Sequence, residues 1–297
     1  MLPRIHLFGG FSITPYGIAI ALAFVAALWL TVKMAPRRGI DKSFVMDISF
    51  YIIIAAILGA RLYFVLQHWG APYMHNFGQA LTIWDGGLVF YGGFLGGLIA
   101  LLIYVKAKKV SLLAFMDILA PATALGYAIT RVGCFVNGCC YGAPTNLPWG
   151  VVYPPDAPVY CEPNSIAFLM EGTPVHPVQL YATIINVLLC LFLVWVLGRA
   201  KQTGTTALWY FLIYPVYRFG AEMLRGDNAF QALQFYLTIP QWTAVIITAW
   251  AILVAWAVHA AGRRGLNRDH AAWLGLATTP IGSWVYVLTG KPPEKED

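Results

Sequence analysis

Tyr214-Pro215-Val216-Tyr217-Arg218-Phe219-Gly220-Ala221-Glu222-Met223-Leu224-Arg225 closes an otherwise apolar stretch that begins at Ala207. Arg218, Glu222 and Arg225 stand at i, i+4 and i+7, so a helix would align two guanidiniums and a carboxylate along one stripe. In a bilayer each such group costs roughly 2.5–3.5 kcal/mol even on lenient insertion scales, so the stripe is expected to face a cavity rather than lipid. Arg61 and Arg131 occupy similar apolar settings. Positive charge at membrane depth implies an anionic partner, and the commonest anion of a bilayer is a lipid phosphate. The competing reading has the arginines snorkelling to the interface on their aliphatic stems, with no ligand.

The surrounding chain makes the bilayer the relevant solvent. Of 297 residues, 59% are hydrophobic and 11% charged, and the mean hydropathy is +0.67, which excludes an ordinary soluble domain. Apolar runs of spanning length cover about Tyr16–Val32, Phe44–Leu66, Leu88–Val105, Leu112–Ile129, Val178–Leu197, Thr205–Leu224 and Trp242–Ala261. The expected fold is an all-α integral membrane protein, a bundle of seven transmembrane helices over residues 1–262 with a small extracytoplasmic cap at about 132–177. Met1–Ser12 lacks a signal-peptide layout, so the first run is read as a retained helix. Residues 263–297 form a tail. Its apolar part, Ala271–Leu288, is interrupted by Pro280 and Gly282 and is expected to lie at the interface or against a partner, not to span.

Charge sets the expected orientation. The loops after the first, third, fifth and seventh runs, with the tail, hold 14 of the 19 Lys and Arg residues. The opposite loops, His68–Gly87, Val132–Pro177 and Gly226–Gln241, hold none. The positive-inside rule then places the N-terminus outside and the C-terminus in the cytoplasm. The net charge of +6 is a topology signal and no argument for nucleic acid.

Three further elements fall at outer ends of helices. Arg131-Val132-Gly133-Cys134-Phe135-Val136-Asn137-Gly138-Cys139-Cys140-Tyr141-Gly142 follows the fourth run, with Arg131 ending the span and glycines permitting a tight turn. His176-Pro177-Val178-Gln179-Leu180-Tyr181 opens the fifth helix, with Pro177 suited to its first turn. The third helix begins near Trp84-Asp85-Gly86-Gly87. Its Gly92/Gly96 and Gly93/Gly97 pairs fit close helix packing better than phosphate cradling. Chemistry is therefore expected near the outer leaflet, where guanidiniums suit a phosphodiester better than lysines would.

These elements, taken in order, resemble the prolipoprotein diacylglyceryl transferases of bacteria. The likeness rests on the Gly-Gly pairs after Trp84, the Arg-x-Gly-x-Phe-x-Asn-Gly-x-x-x-Gly signature at Arg131–Gly142, His-Pro-x-Gln-Leu-Tyr, and Tyr-x-x-x-Arg-x-x-x-Glu-x-x-Arg. It covers about Tyr16 to Ala261. The resemblance implies an enzyme of the cytoplasmic (inner) membrane that moves a diacylglyceryl group from phosphatidylglycerol to the lipobox cysteine of a prolipoprotein, releasing glycerol-1-phosphate. It implies a phosphate clamp by Arg131 and Arg218, and a Glu222 that orients Arg218 and Arg225 or accepts a proton. Positioning roles fall on Tyr16, Asn137, Gly142 and Tyr214, and headgroup contacts extend to Arg61, Arg225 and His176.

The chain departs from that pattern at three places. Tyr91 stands where many members have a histidine favoured as the thiol's base, and a phenol with pKa near 10 is a poor base at neutral pH. Either nearby arginines ionise Tyr91, or it positions substrate while a phosphate oxygen or Glu222 takes the proton; positioning is the favoured reading. Cys134 and Cys139 replace the usual Asn and Glu. His176 is an alternative base, or more simply a hydrogen-bond post.

Cys134, Cys139, Cys140 and Cys161 are all expected on the oxidising outer side, with Cys190 inside the fifth helix. A disulfide from Cys161 to Cys139 or Cys140 is expected. The spacing matches no common zinc pattern, and no nucleotide, metal or organic cofactor motif is present. Two rival functions remain. One is a transporter of an anionic lipid, which would ordinarily show internal repeats, and none are evident. The other is a catalytically silent relative acting in binding or assembly.

Overall fold

The computed structural model describes residues 5–6, 12–68, 87–154, 172–225, 237–278 and 280–289. A two-stranded antiparallel ribbon, β1 (Ile5–His6) and β2 (Ser12–Ile13), precedes the first helix. The long helices follow as α1 (Pro15–Met34), α2 (Lys42–His68), α3 (Phe90–Ala107), α4 (Leu112–Asn137), α5 (Val178–Arg199), α6 (Thr205–Met223) and α7 (Ile239–Arg263). All seven expected helices are present. Among the described residues, six are long and apolar enough to cross a membrane. The remaining one, α6, is 19 residues long and carries Arg218, Glu222 and three tyrosines. Large side chains such as Leu22, Val25, Phe50, Leu58, Ile103, Leu188 and Trp256 point outward and are exposed. That inversion of the soluble rule is what lipid, not water, outside the bundle requires.

The chain divides into two compact units, residues 32–115 and residues 1–31 with 116–297. In the first, α2 and α3 are joined by glycine. A Cβ added at Gly92 would strike Gly59 O and Tyr63 Cβ, and one at Gly96 would strike Ala55 O, so the backbones touch with no side chain between. The packing reading of the Gly92/Gly96 pair is therefore correct. At the Lys42 end of α2, Phe44 packs on Tyr104 and Phe115 with ring centroids 5.3 and 5.7 Å apart.

In the second unit, α4 is an apolar rod with Ile118, Ala122 and Ala124 fully buried. It also buries Asp117 completely. That carboxylate accepts hydrogen bonds from the backbone N–H of Gly204 (2.9 Å) and Ala207 (3.0 Å). These are donors that the start of α6 leaves unpaired, and the negative charge also suits the positive end of the helix. Asp117 thus fixes where α6 begins, and hence the height of Arg218 and Glu222 along it. Helix α7 starts with a reciprocal cap: Thr238 accepts from Gln241 N, and Gln241 Oε1 accepts from Thr238 N.

Among its described residues, the tail segment contains no helix of spanning length. It folds as two short helices, α8 (Arg268–Thr278) and α9 (Pro280–Thr289), packed against each other and against α7. Ser283 Oγ donates to Ala271 O at 2.8 Å, Trp284 meets Trp256 of α7 at 4.5 Å between centroids, and Arg264 donates to Val287 O. Pro280 cannot extend α8 but is well placed to open α9, so the apolar stretch breaks into a pair that buries its own face.

Candidate active site

Helix α4 carries Arg131 about two turns before its end, not at its end as the sequence suggested, because the helix continues to Asn137. The guanidinium donates to the hydroxyl of Tyr127 one turn earlier and lies 4.7 Å from that ring's centroid. Tyr127 in turn meets Tyr214 of α6 edge to face at 5.5 Å, and Tyr214 stacks on Tyr210 and abuts Tyr217. Both Arg131 and Arg218 lie close enough to Tyr217 to act on its hydroxyl electrostatically, and Arg218 acts on Tyr214 in the same way. Arg131 and Arg218 thus stand one turn beyond Tyr127 and Tyr214, the two rings through which α4 and α6 meet. Arg218 is held by an ion pair to Glu222, which is 3% exposed.

Arg225 corrects the predicted stripe. Helix α6 stops at Met223, and Arg225 leaves it to form an antiparallel bridge with Gly142. Ala143 N donates to Leu224 O (2.8 Å), Gly142 N to His176 O (3.0 Å) and His176 N to Ala143 O (3.0 Å). The signature turn, the end of α6 and the approach to α5 are thus stitched by backbone alone. A Cβ at Gly142 would lie 2.5 Å from His176 Cβ and 2.6 Å from His176 O, which explains why the stitch demands glycine there. The His176 ring sits 3.3 Å from the Tyr181 hydroxyl, which also accepts from Trp149 Nε1 at 2.7 Å. The Nδ1 side of the His176 ring is thereby engaged by Tyr181. Pro177 is the residue before α5, one position earlier than expected.

The turn after α4 gathers sulfur. Gly138 and Cys140 take left-handed backbone angles, φ 74° and 60°, and reverse the chain so that the Sγ atoms of Cys134, Cys139 and Cys140 all lie within 4.8 Å of one another. Cys139 N donates to Cys134 O (3.1 Å), and the fully buried Gln179 of α5 donates to Cys139 O (2.8 Å) and to the Tyr153 hydroxyl (3.0 Å). Hydrogen bonds from Cys134 and Cys139 hold the Cys140 thiol far below its usual range, at about 2, with Arg131 and Arg225 adding to the effect. Tyr16, at the start of α1, is within electrostatic reach of all three thiols and of Arg131. Asn137 is the last residue of α4 and hydrogen-bonds at the Cys139 thiol. Cys139 and Cys140 carry free thiols, and Cys161, the expected disulfide partner, lies outside the described residues.

The remaining predicted residues belong to the other unit. Arg61 is buried on α2, donates to Gly87 O at 3.3 Å and lies over the Phe64 ring. Tyr91, near the start of α3, is 68% exposed. A cavity of about 460 Å³ in that unit, lined by Arg38, Asp41, Asp47, Tyr104 and Lys108 among others, involves no residue predicted for the site. Sequence reasoning missed Tyr127 and Tyr217. Their signal was the i, i+4 spacing of Tyr127 to Arg131 and the place of Tyr217 beside Arg218.

The fold is that of a polytopic helical membrane protein carrying arginines on two helices that meet through a cluster of tyrosines, and charge in such helices is a mark of function. The sequence profile of the family described as "Prolipoprotein diacylglyceryl transferase" matches residues 3–257. This chain belongs to that family of membrane transferases. The phosphatidylglycerol–prolipoprotein diacylglyceryl transferase of Thermosynechococcus vestitus is 33% identical over 239 residues, 80% of this chain and 86% of that protein. The enzyme of that name from Acaryochloris marina is 37% identical over 76% of this chain and 80% of its own length. That of Cupriavidus metallidurans is 32% identical over 90% and 96%.

Proposed function

We propose that this chain transfers the diacylglyceryl group of phosphatidylglycerol to the lipobox cysteine thiol of a prolipoprotein, with glycerol-1-phosphate leaving. The observation that supports the proposal is that Arg131 and Arg218, each anchored on its own helix by Tyr127 and Glu222, flank the Tyr127–Tyr214 contact between α4 and α6. In the reaction the acceptor sulfur forms a bond to the glyceryl carbon. The bond from that carbon to the phosphate oxygen breaks, and its electron pair departs on the phosphate. Negative charge therefore grows on the phosphate, and Arg131 and Arg218, held in place by Tyr127 and Glu222, are the donors assigned to stabilise it. Glu222 keeps Arg218 in place; bound in that ion pair, it serves as an orienter and not as a base. Tyr16, Asn137, Gly142, Tyr214, Arg225 and His176 shape the phosphatidylglycerol site around the clamp. Tyr91 and Arg61 position substrate from α3 and α2.

The loop charges favour an N-terminus outside, a cytoplasmic C-terminus and a site near the outer leaflet of the bacterial inner membrane. Residues 1–262 act as the catalytic bundle, with the cap at about 132–177, and 263–297 as a cytoplasmic tail. The test is transfer to a lipobox peptide in micelles containing phosphatidylglycerol. Transfer is expected and should collapse in Arg131→Ala and Arg218→Ala. Transfer that survives both substitutions would remove the clamp, and none by the intact chain would favour a silent relative.

A further inference from the structure

Thiol alkylation needs a thiolate, and the groups already described supply it poorly. Glu222 is committed to Arg218, and Tyr91 is a phenol. Beside Arg131 lies an unused group of three sulfurs. The Sγ atoms of Cys134, Cys139 and Cys140 fall within 4.8 Å of one another. Zinc–thiolate bonds of about 2.3 Å at tetrahedral angles put neighbouring sulfurs about 3.8 Å apart, so each pair is within about 1 Å of a metal-binding triangle. The framework is held on both sides, by Cys139 N on Cys134 O and by Gln179 Nε2 on Cys139 O. Three thiolates and one divalent cation carry a net negative charge, and Arg131 and Arg225 both act electrostatically on Cys140 to offset it. Among the described residues no fourth Cys, His, Asp or Glu joins the group. Three protein ligands with one open position is the arrangement of reactive rather than structural zinc sites.

We propose that Cys134, Cys139 and Cys140 form a three-thiolate site for one thiophilic divalent cation of the zinc class, whose open position takes the acceptor cysteine thiol. The second half of this rests on the transfer reading above; the metal site itself does not. On binding, the acceptor sulfur replaces a coordinated water and loses its proton to bulk water, since a thiol bound to such an ion is deprotonated outright. The bound sulfur then gives its electron pair to the glyceryl carbon, and the carbon–oxygen bond breaks toward the phosphate held by Arg131 and Arg218. The ion changes no oxidation state. The linear spacing hid the site because two ligands are adjacent, and only the reversal at Gly138 and Cys140 brings them onto Cys134.

The test uses the full chain in detergent, reduced with a phosphine and stripped of metal, then titrated with Co(II). One equivalent should produce the sulfur-to-cobalt charge-transfer band and tetrahedral visible bands. Cys134→Ser, Cys139→Ser and Cys140→Ser should each lose or shift them, while Cys190→Ser and Cys161→Ser leave them unchanged. Circular dichroism confirms that each variant is folded. Adding a lipobox peptide should shift the visible bands, and its cysteine-to-serine analogue should not. No charge-transfer band, or one insensitive to the three serine variants, overturns the metal site. Loss of the band in Cys161→Ser makes the site closed and overturns the open position, as does a spectrum unmoved by the peptide. Because these readouts need no turnover, they separate this proposal from failure of the transfer reading. Stripping metal should also abolish transfer and Zn(II) should restore it; full transfer by stripped protein overturns the activating role.

Discussion

The buried carboxylate of Glu222 is ion-paired to the guanidinium of Arg218 one helical turn before it on α6. Breaking a buried pair from one side strands a charge, whereas replacing both partners with apolar groups is often tolerated. Glu222→Gln should therefore lower transfer about 10–100-fold, the range seen when a group that orients a functional ligand is lost. Arg218→Ala should cost about 10²–10³, as when a donor to developing negative charge is removed. The double variant Arg218→Met/Glu222→Leu should fold and stay inactive, separating the clamp's chemistry from its structural cost. Transfer rates and thermal unfolding of the three proteins check this.

Asp117 reaches the same site from the far end of α6. Asp117→Ala leaves the N–H groups of Gly204 and Ala207 without their acceptor in a buried setting, at a cost of about 2 kcal/mol. The start of α6 should fray, and Arg218 with it should lose its fixed height. Transfer is expected to fall although Asp117 touches no substrate. Hydrogen exchange at 204–208 should rise in parallel, and a fall in transfer without that rise would contradict the link.

Gly142 and Gly220 make a matched pair. A methyl at Gly142 meets His176 backbone and Cβ and also Val178, at 2.5–2.8 Å, with no flexible side-chain end to move aside. A methyl at Gly220, inside α6, meets nothing within 4 Å. Gly142→Ala should break the backbone stitch between the signature turn and Arg225, and abolish transfer. Gly220→Ala should be stabilising by about 0.5–1 kcal/mol, the ordinary gain in a helix interior. Melting temperature should move in opposite directions for the two variants, and transfer should be lost only in Gly142→Ala.

The helices were legible because bilayer thickness turns composition directly into span length; each apolar run became a helix whose ends moved by three residues or fewer, except that α4 runs on to Asn137, eight residues beyond its apolar run. The arginines were legible as well, since charge in such runs is costly and so conspicuous. Arg225 was misplaced because helical periodicity cannot announce that a chain leaves the helix at Met223 to pair with Gly142. The thiol cluster was hidden for a related reason. Its proximity depends on left-handed backbone at Gly138 and at Cys140, and a cysteine gives no local cue for that conformation. Ala271–Leu288 lay between these cases. Pro280 signalled a break, but the contact of Trp284 with Trp256 exists only in three dimensions.

The electrostatics of that turn give the last expectation. In reduced, metal-free protein, hydrogen bonds from Cys134 and Cys139, with Arg131 and Arg225 nearby, hold the Cys140 thiol at about 2. A depressed value means the thiolate is present at every pH above it, so Cys140 should stay ionised from pH 8 down to pH 5. An ordinary thiol with pKa about 8.5 loses roughly tenfold in thiolate per unit across that range. Iodoacetamide alkylation of Cys140, followed by peptide mass spectrometry, should therefore proceed at a nearly constant rate from pH 8 to pH 5. Cys134→Ala removes the largest stabilising donor and should restore a falling rate toward acid. A tenfold-per-unit fall in the unaltered protein would show that the sulfurs do not share a proton network, and the thiolate would have to be sought elsewhere.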